Sequence, residues 1–240
     1  MDRPSPRHVW LLYIHSLAKY QRDSHLLDRM SLYGYAVEEL AIHLRGLPDL
    51  AGAIEVVPDR IDALHDFRKL VLAARLDAAP PILLGLSCYD WNLQASLDWL
   101  VDFRAAWPSV PVVIGGPSAS DPAGIRALTP LRLDYVVPGE GELVLAPIIR
   151  HVLAGGAAED LDPGLPVSVP GRSDTGALSN RRRFVEDIDN LPSVCRTSFV
   201  REMAPMAILQ TSRGCDHGCS YCAFNKRPLE IGRASCRERV

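Results

Sequence analysis

Apolar positions along the first 150 residues fall into short runs separated by amphipathic stretches. His8 to His15 is a nearly continuous run of apolar β-formers, which predicts a strand buried on both faces. A polar segment, Ser16 to Met30, follows, and Ser31 reads as a helix cap. Leu32, Tyr35, Ala36, Leu40 and Leu44 then recur at helical spacing up to Gly46. Ile54 to Val57 predicts a second strand. Asp62 to Ala78 predicts a second helix, with Leu64, Phe67, Leu70, Val71 and Ala74 on one face. Three further strands are expected at Ile82–Cys88, Val110–Ile114 and Asp134–Val137. Helices are expected at Asn92–Trp107, around Ala123–Leu128 and from about Glu142 to Leu153.

Five strands alternating with helices predict an α/β fold, a doubly wound five-stranded parallel sheet with helices on both faces. Ligands of such sheets sit beyond the carboxyl ends of the strands. Small and polar residues follow four of the apolar runs there: Ser16, Ser87, Gly115 with Gly116, and Gly139-Glu140-Gly141. One turn glycine would carry no message, but four coincident strand ends predict a binding rim.

After Ala154 the pattern stops. Gly, Pro, Asp and Ser dominate residues 155–176, with a possible turn at Asp174-Thr175-Gly176 and a basic run, Arg181-Arg182-Arg183, that reads as a solvated face. The organisation expected is a first domain over 1–156, a linker over 157–203 and a new unit starting at 204. Met206 to Leu209 reads as that unit's first strand.

The composition adds exclusions. The chain has 240 residues, 48% hydrophobic and 23% charged, which is ordinary for a globular protein. A formal net charge of −3 gives no footprint for nucleic acid, and no apolar run approaches the roughly 20 residues that span a bilayer. The start, Met1 to Arg7, is not a signal peptide. The six cysteines, unevenly spread, suit a reducing cytoplasm.

The most informative chemistry is Gln210-Thr-Ser-Arg-Gly-Cys-Asp-His-Gly-Cys-Ser-Tyr-Cys222. Cys215, Cys219 and Cys222, spaced Cys-x3-Cys-x2-Cys, are able to hold three corners of an iron–sulfur cube and leave one iron without a protein ligand. Zinc held by the same cysteines and His217 is the alternative, although the second Cys-x2-Cys hook of common zinc modules is missing.

This loop, behind a strand ending Thr-Ser-Arg-Gly, resembles the cluster loop of the radical S-adenosylmethionine (SAM) enzymes. The resemblance implies a [4Fe-4S] cluster on Cys215, Cys219 and Cys222, whose free iron chelates SAM. It implies one-electron cleavage to a 5′-deoxyadenosyl radical, an external reductant such as a flavodoxin or ferredoxin, and Tyr221 packed near the adenine. A doubly wound domain ahead of such a loop is similar to the Rossmann-like cobalamin-binding domain of cobalamin-dependent radical enzymes. The Gly115-Gly116-Pro117 and Gly139-Glu140-Gly141-Glu142 turns and Ser87 match that family's turns, and Phe184 to Pro192 resembles its acidic connector. The resemblance implies cobalamin over the strand ends and methyl transfer to an unactivated carbon or phosphorus of a small-molecule or natural-product substrate; some relatives rearrange rings instead.

Asp23-Ser24-His25-Leu26-Leu27-Asp28 matches the first two named positions of the cobalt-ligating Asp-x-His-x-x-Gly and has Asp28 where Gly belongs, so His25 is not taken as a ligand. A radical methylthiotransferase would need further cluster cysteines early in the chain, where Cys88 stands alone before residue 190. A corrinoid or other small-molecule binding module with a structural zinc loop is the remaining alternative.

The barrel that should follow Cys222 needs well over a hundred residues, roughly, so residues 204–230 are expected to be the start of a truncated radical SAM (β/α) barrel, inactive alone. Residues 231–240 show no helical or strand period. They translate ATC GGA AGA GCG TCG TGT AGG GAA AGA GTG, which reads as a sequencing-library adapter and not as native chain; Cys236 is therefore not counted as a ligand.

Overall fold

A computed structural model describes residues 7–15, 34–62, 80–120, 122–172, 185, 187–192, 212–213 and 232–233. Its centre is a parallel sheet of five strands: β1 (Arg7–His15), β2 (Ile54–Asp62), β3 (Leu83–Ser87), β4 (Val112–Gly115) and β5 (Tyr135–Val136), in the order β2-β1-β3-β4-β5. The connecting helices are α1 (Tyr35–Arg45), α2 (Leu93–Ala106), α3 (Pro122–Ala127) and α4 (Leu145–Leu153).

The central strand shows why its sequence is apolar throughout. Val9, Leu11 and Tyr13 join one buried cluster with Val37, Ala41 and Leu44 of α1 and Ile148 and Ile149 of α4. Trp10, Leu12 and Ile14 join a second with Leu97, Leu100 and Phe103 of α2 and Ile125 of α3. Strand side chains alternate between faces, so a strand covered by helices on both sides must be hydrophobic at every position. The expected doubly wound sheet is therefore present.

Two expectations need correction. The second strand does not stop at Val57: β2 pairs with β1 out to Asp62, which leaves the predicted helix start inside a strand. β1 is long enough to template nine residues, and Pro58 is tolerated because β2 is the outermost strand, where a missing N–H need not break a ladder. The rest of that predicted helix, the Ser31 cap and the 206–209 strand lie outside the described residues.

The linker does not begin at 157. Ala158, Leu161, Val167 and Val169 are buried in the α1/α4 cluster, and Val136 and Ser168 exchange two backbone hydrogen bonds of 2.9 Å beside β5. A Gly- and Pro-rich composition does not stop four spaced apolar residues from packing. β6 (Ser212–Arg213) and β7 (Gly232–Arg233) form a two-residue antiparallel ladder, which backbone groups make without any side-chain period.

One buried charge holds the lower end of α2. Asp134 accepts from Arg104 at 2.7 Å, from Arg132 at 2.7 Å and from the Val112 amide at 2.9 Å. Arg104 also donates to the carbonyls of Pro108 and Val110. The turn between α2 and β4 is thus fixed at the amino edge, opposite the predicted rim.

Candidate functional site

In the order β2-β1-β3-β4-β5 the connections change direction between β1 and β3, so a crevice opens at their carboxyl ends. The predicted rim residues gather along that edge. Ser87 ends β3, Gly115 ends β4 opposite it in register, and Gly139, Glu140 and Gly141 follow β5. Ser16, Tyr221, Cys215, Cys219 and Cys222 lie outside the described residues, as do His25 and His217.

The loop after β3 builds the floor of the crevice. Asn92 is buried and donates from Nδ2 to the carbonyl of Ile14 at 2.9 Å and to that of Ser87 at 3.1 Å. Its Oδ1 accepts from the Tyr89 amide at 2.7 Å. One amide side chain therefore ties β1 to β3 at the switch and closes the loop between them. Backbone groups at a strand end need such partners, because the ladder no longer supplies them.

The same loop raises an aromatic ledge. Trp91, 48% exposed, stacks on Tyr89 with ring centroids 4.7 Å apart, and its indole N–H donates to the Tyr13 hydroxyl at 3.0 Å. Tyr89 meets Tyr13 edge-on at 6.0 Å and shares a hydrogen bond with Ser87; burial raises its phenol pKa and that bond opposes the shift. Nothing in the spacing of the sequence singled out Tyr89, Trp91 or Asn92. An Asn at the start of a predicted helix beside an aromatic pair was the available signal.

Gly116 locks the loops after β3 and β4 together. Its φ is +95°, and a Cβ there would stand 2.4 Å from the Cys88 carbonyl oxygen. Cys88 donates its amide to Gly115 at 2.8 Å, and Ser118 donates its amide to Cys88 at 3.2 Å. The Cys88 thiol is pushed up to about 12 by burial, against a weaker opposing hydrogen bond with Ser96. That places it among inert buried thiols and not among metal ligands.

The turn after β5 carries charge. Arg213 donates from Nη2 to Glu39 at 2.8 Å and to Glu142 at 2.7 Å, and its Nη1 lies 3.3 Å from Glu140. Glu140 also accepts from the Val185 amide. Burial drives Glu39 up to about 7, outweighing Arg213, with Glu142 and Glu140 adding to the rise. Burial likewise raises Glu140 against the pull of Arg213. Burial alone would lower Arg213, but Glu142, Glu39 and Glu140 together raise it. Glu140 and Glu142 were visible as part of a turn motif; their partners were not, since Glu39 is 174 positions from Arg213.

Among the described residues no helix is long and apolar enough to cross a membrane, and no group of three His, Cys, Asp or Glu is arranged to hold a metal ion. The chemistry of the Cys-x3-Cys-x2-Cys donor set fits a cluster with an open iron. Among the described residues a Cβ on Gly115 would meet Val137 Cβ at 4.0 Å and nothing nearer, so this strand end leaves room for a ligand to approach the backbone.

No family model matches the chain. It is 26% identical over 212 residues to the cobalamin-dependent radical SAM methyltransferase TokK of Streptomyces tokunonensis. That match covers 81% of this chain and 31% of the relative. It is 27% identical over 216 residues to a 2-(S-pantetheinyl)-carbapenam-3-carboxylate methyltransferase of Streptantibioticus cattleyicolor, with the same coverage of 81% and 31%. The chain thus spans about a third of the length of the curated relatives it matches. In fold it is similar to the radical SAM methyltransferase TsrM of Kitasatospora setae, with a TM-score of 0.63 and 17% identity over 95% of this chain and 43% of that one. The cobalamin-dependent radical enzyme OxsB gives a TM-score of 0.58 and 16% identity over 91% of this chain and 28% of that one. In sequence the chain is thus similar to two methyltransferases, one of them a cobalamin-dependent radical SAM enzyme, and in fold to TsrM and OxsB.

Proposed function

We propose that this chain carries the cobalamin-binding sheet and the cluster loop of a radical SAM enzyme that methylates a small molecule. The observation that supports this best is the shape of the carboxyl edge: a switch-point crevice with a backbone floor, in a chain that continues into Cys-x3-Cys-x2-Cys. The relatives' names favour methyl transfer, and one of them acts on a carbapenam carboxylate.

In this reading Ser87, Gly115, Gly116 and the Gly139-Glu140-Gly141 turn line the corrinoid's resting place, with Ser16 completing it after β1. Gly115 keeps a side chain out of the ledge, Gly116 lets the loops after β3 and β4 meet beneath it, and Asn92 ties β1 to β3. Tyr89 and Trp91 offer a stacked aromatic face beside it, which excludes water from one side of a flat ligand. Cys215, Cys219 and Cys222 supply three thiolates to a four-iron cluster, and Tyr221 packs against the adenine of SAM. Bound together, the cluster and SAM supply a hydrogen-abstracting radical and the corrinoid supplies the methyl group, to an unactivated carbon or to phosphorus. A flavodoxin or ferredoxin is the class of reductant such a cluster draws on.

The test is anaerobic reconstitution with iron, sulfide and hydroxocobalamin, followed by gel filtration, metal analysis and visible spectra. Retained corrinoid and about four irons per chain are expected of the whole protein, and a weakly held cluster of residues 1–240 alone. One tetrahedral zinc, no iron uptake and no retained corrinoid would overturn the reading. Incubation of the whole protein with SAM and reductant should release 5′-deoxyadenosine.

A further inference from the structure

We propose that Arg213 is a positioning residue that docks the cysteine loop onto the carboxyl edge of the sheet, through Glu39, Glu140 and Glu142. The proposal rests on the reading of Cys215, Cys219 and Cys222 as cluster ligands, and it adds what places them.

The three carboxylates come from two elements that already pack together. Glu39 lies on α1, while Glu140 and Glu142 lie in the turn after β5. Between them Gly141 fits against Leu40 so closely that a Cβ on it would stand 3.0 Å from Leu40 Cδ2. α1 and the turn after β5 therefore meet at this corner through their own packing as well as through Arg213. All four side chains are largely shielded, at 11% exposure for Arg213 and 8%, 15% and 6% for Glu39, Glu140 and Glu142.

A guanidinium is a rigid planar fork, so bonds from two of its nitrogens to three carboxylates fix orientation as well as distance. Cys215 follows two residues later. Two residues of extended chain reach at most about 7 Å between Cα atoms, so fixing Arg213 limits how far the first cysteine of the motif can stray from it. The turn after β5 is part of the rim where the corrinoid is proposed to lie. The Glu140 contact with the Val185 amide brings the connector to the same corner. A solvated surface arginine would have none of these constraints.

The experiment compares the parent chain with Arg213→Ala, Arg213→Lys and Glu142→Gln, and with Arg150→Ala as control, since Arg150 makes an exposed pair with Asp49 away from this corner. Amide hydrogen exchange of the cofactor-free protein reads the dock without any metal. Arg213→Ala is expected to speed exchange over residues 139–143 and at 185 by about tenfold, and Arg150→Ala to leave it unchanged. In protein loaded with iron, sulfide and cob(II)alamin, the magnetic interaction between the reduced cluster and cobalt reads the spacing. It should weaken in Arg213→Ala and Glu142→Gln and be only partly restored by Arg213→Lys, which keeps the charge but not the planar fork.

Unchanged exchange and unchanged magnetic interaction in both Arg213→Ala and Glu142→Gln would overturn the proposal. A parent chain that takes up no iron would sink the cluster reading instead, and the exchange data alone would then decide whether Arg213 docks the loop.

Discussion

Gly116 and Cys88 approach each other so closely that one extra carbon on the glycine would stand 2.4 Å from the Cys88 carbonyl oxygen. The contact joins the loops after β3 and β4 where the crevice begins. Gly116→Ala must both strain a φ of +95° and push the two loops apart. The expected cost is about 2–4 kcal/mol in urea unfolding, with weaker corrinoid retention. Gly115→Ala, with its nearest described neighbour at 4.0 Å, should cost under about 1 kcal/mol. Equal losses at the two positions would show that close approach is not the reason for Gly116.

Asn92→Ala should be more damaging than its size suggests. The substitution leaves the carbonyls of Ile14 and Ser87 and the amide of Tyr89 without their side-chain partner at a buried site. A loss of about 3 kcal/mol is expected, and Asn92→Asp should not rescue it, because a carboxylate cannot donate to two carbonyls. Equilibrium unfolding in urea measures both variants.

Cys88 should resist alkylation in the folded chain. Burial holds its thiol at about 12, so almost no thiolate exists near neutral pH. Iodoacetamide treatment at about pH 8 with peptide mapping should leave Cys88 unmodified until denaturant is added. Modification at the rate of an exposed thiol would mean that the floor of the crevice opens freely.

Glu39 makes stability depend on pH in an unusual direction for a carboxylate. Its ordinary value of 4.5 rises to about 7 in the fold, chiefly by burial. An acid with a raised native pKa binds its proton more tightly in the folded state, so its contribution is complete below 4.5 and is lost as pH climbs through about 7. Urea midpoints of the parent chain should fall between about pH 5 and pH 8 more steeply than those of Glu39→Gln. Parallel curves would mean that Glu39 ionises normally in the fold.

The parts of this fold that were legible in sequence are those with a local cause. β1 announces itself because both of its faces are covered, and α2 because Leu97, Leu100 and Phe103 recur on one face. The rim positions Ser87, Gly115 and Gly139 were legible because strand ends in a parallel sheet share one edge. What was hidden depends on partners distant in the chain. β2 runs past Pro58 because β1 offers it a ladder, and the segment around Val167 packs because α4 leaves apolar surface to cover. The Arg213 corner unites residues 174 positions apart, and no periodicity records such a meeting.

The two margins of the sheet have a further consequence. On one side Ser168 already occupies the hydrogen-bonding groups of Val136 that a strand from another copy would seek. On the other, β2 carries Pro58, which has no N–H to donate. Strand-to-strand aggregation starts from long unguarded margins. Among the described residues the β5 margin of the five-stranded sheet is therefore closed to a strand from another copy, and the β2 margin is interrupted at Pro58.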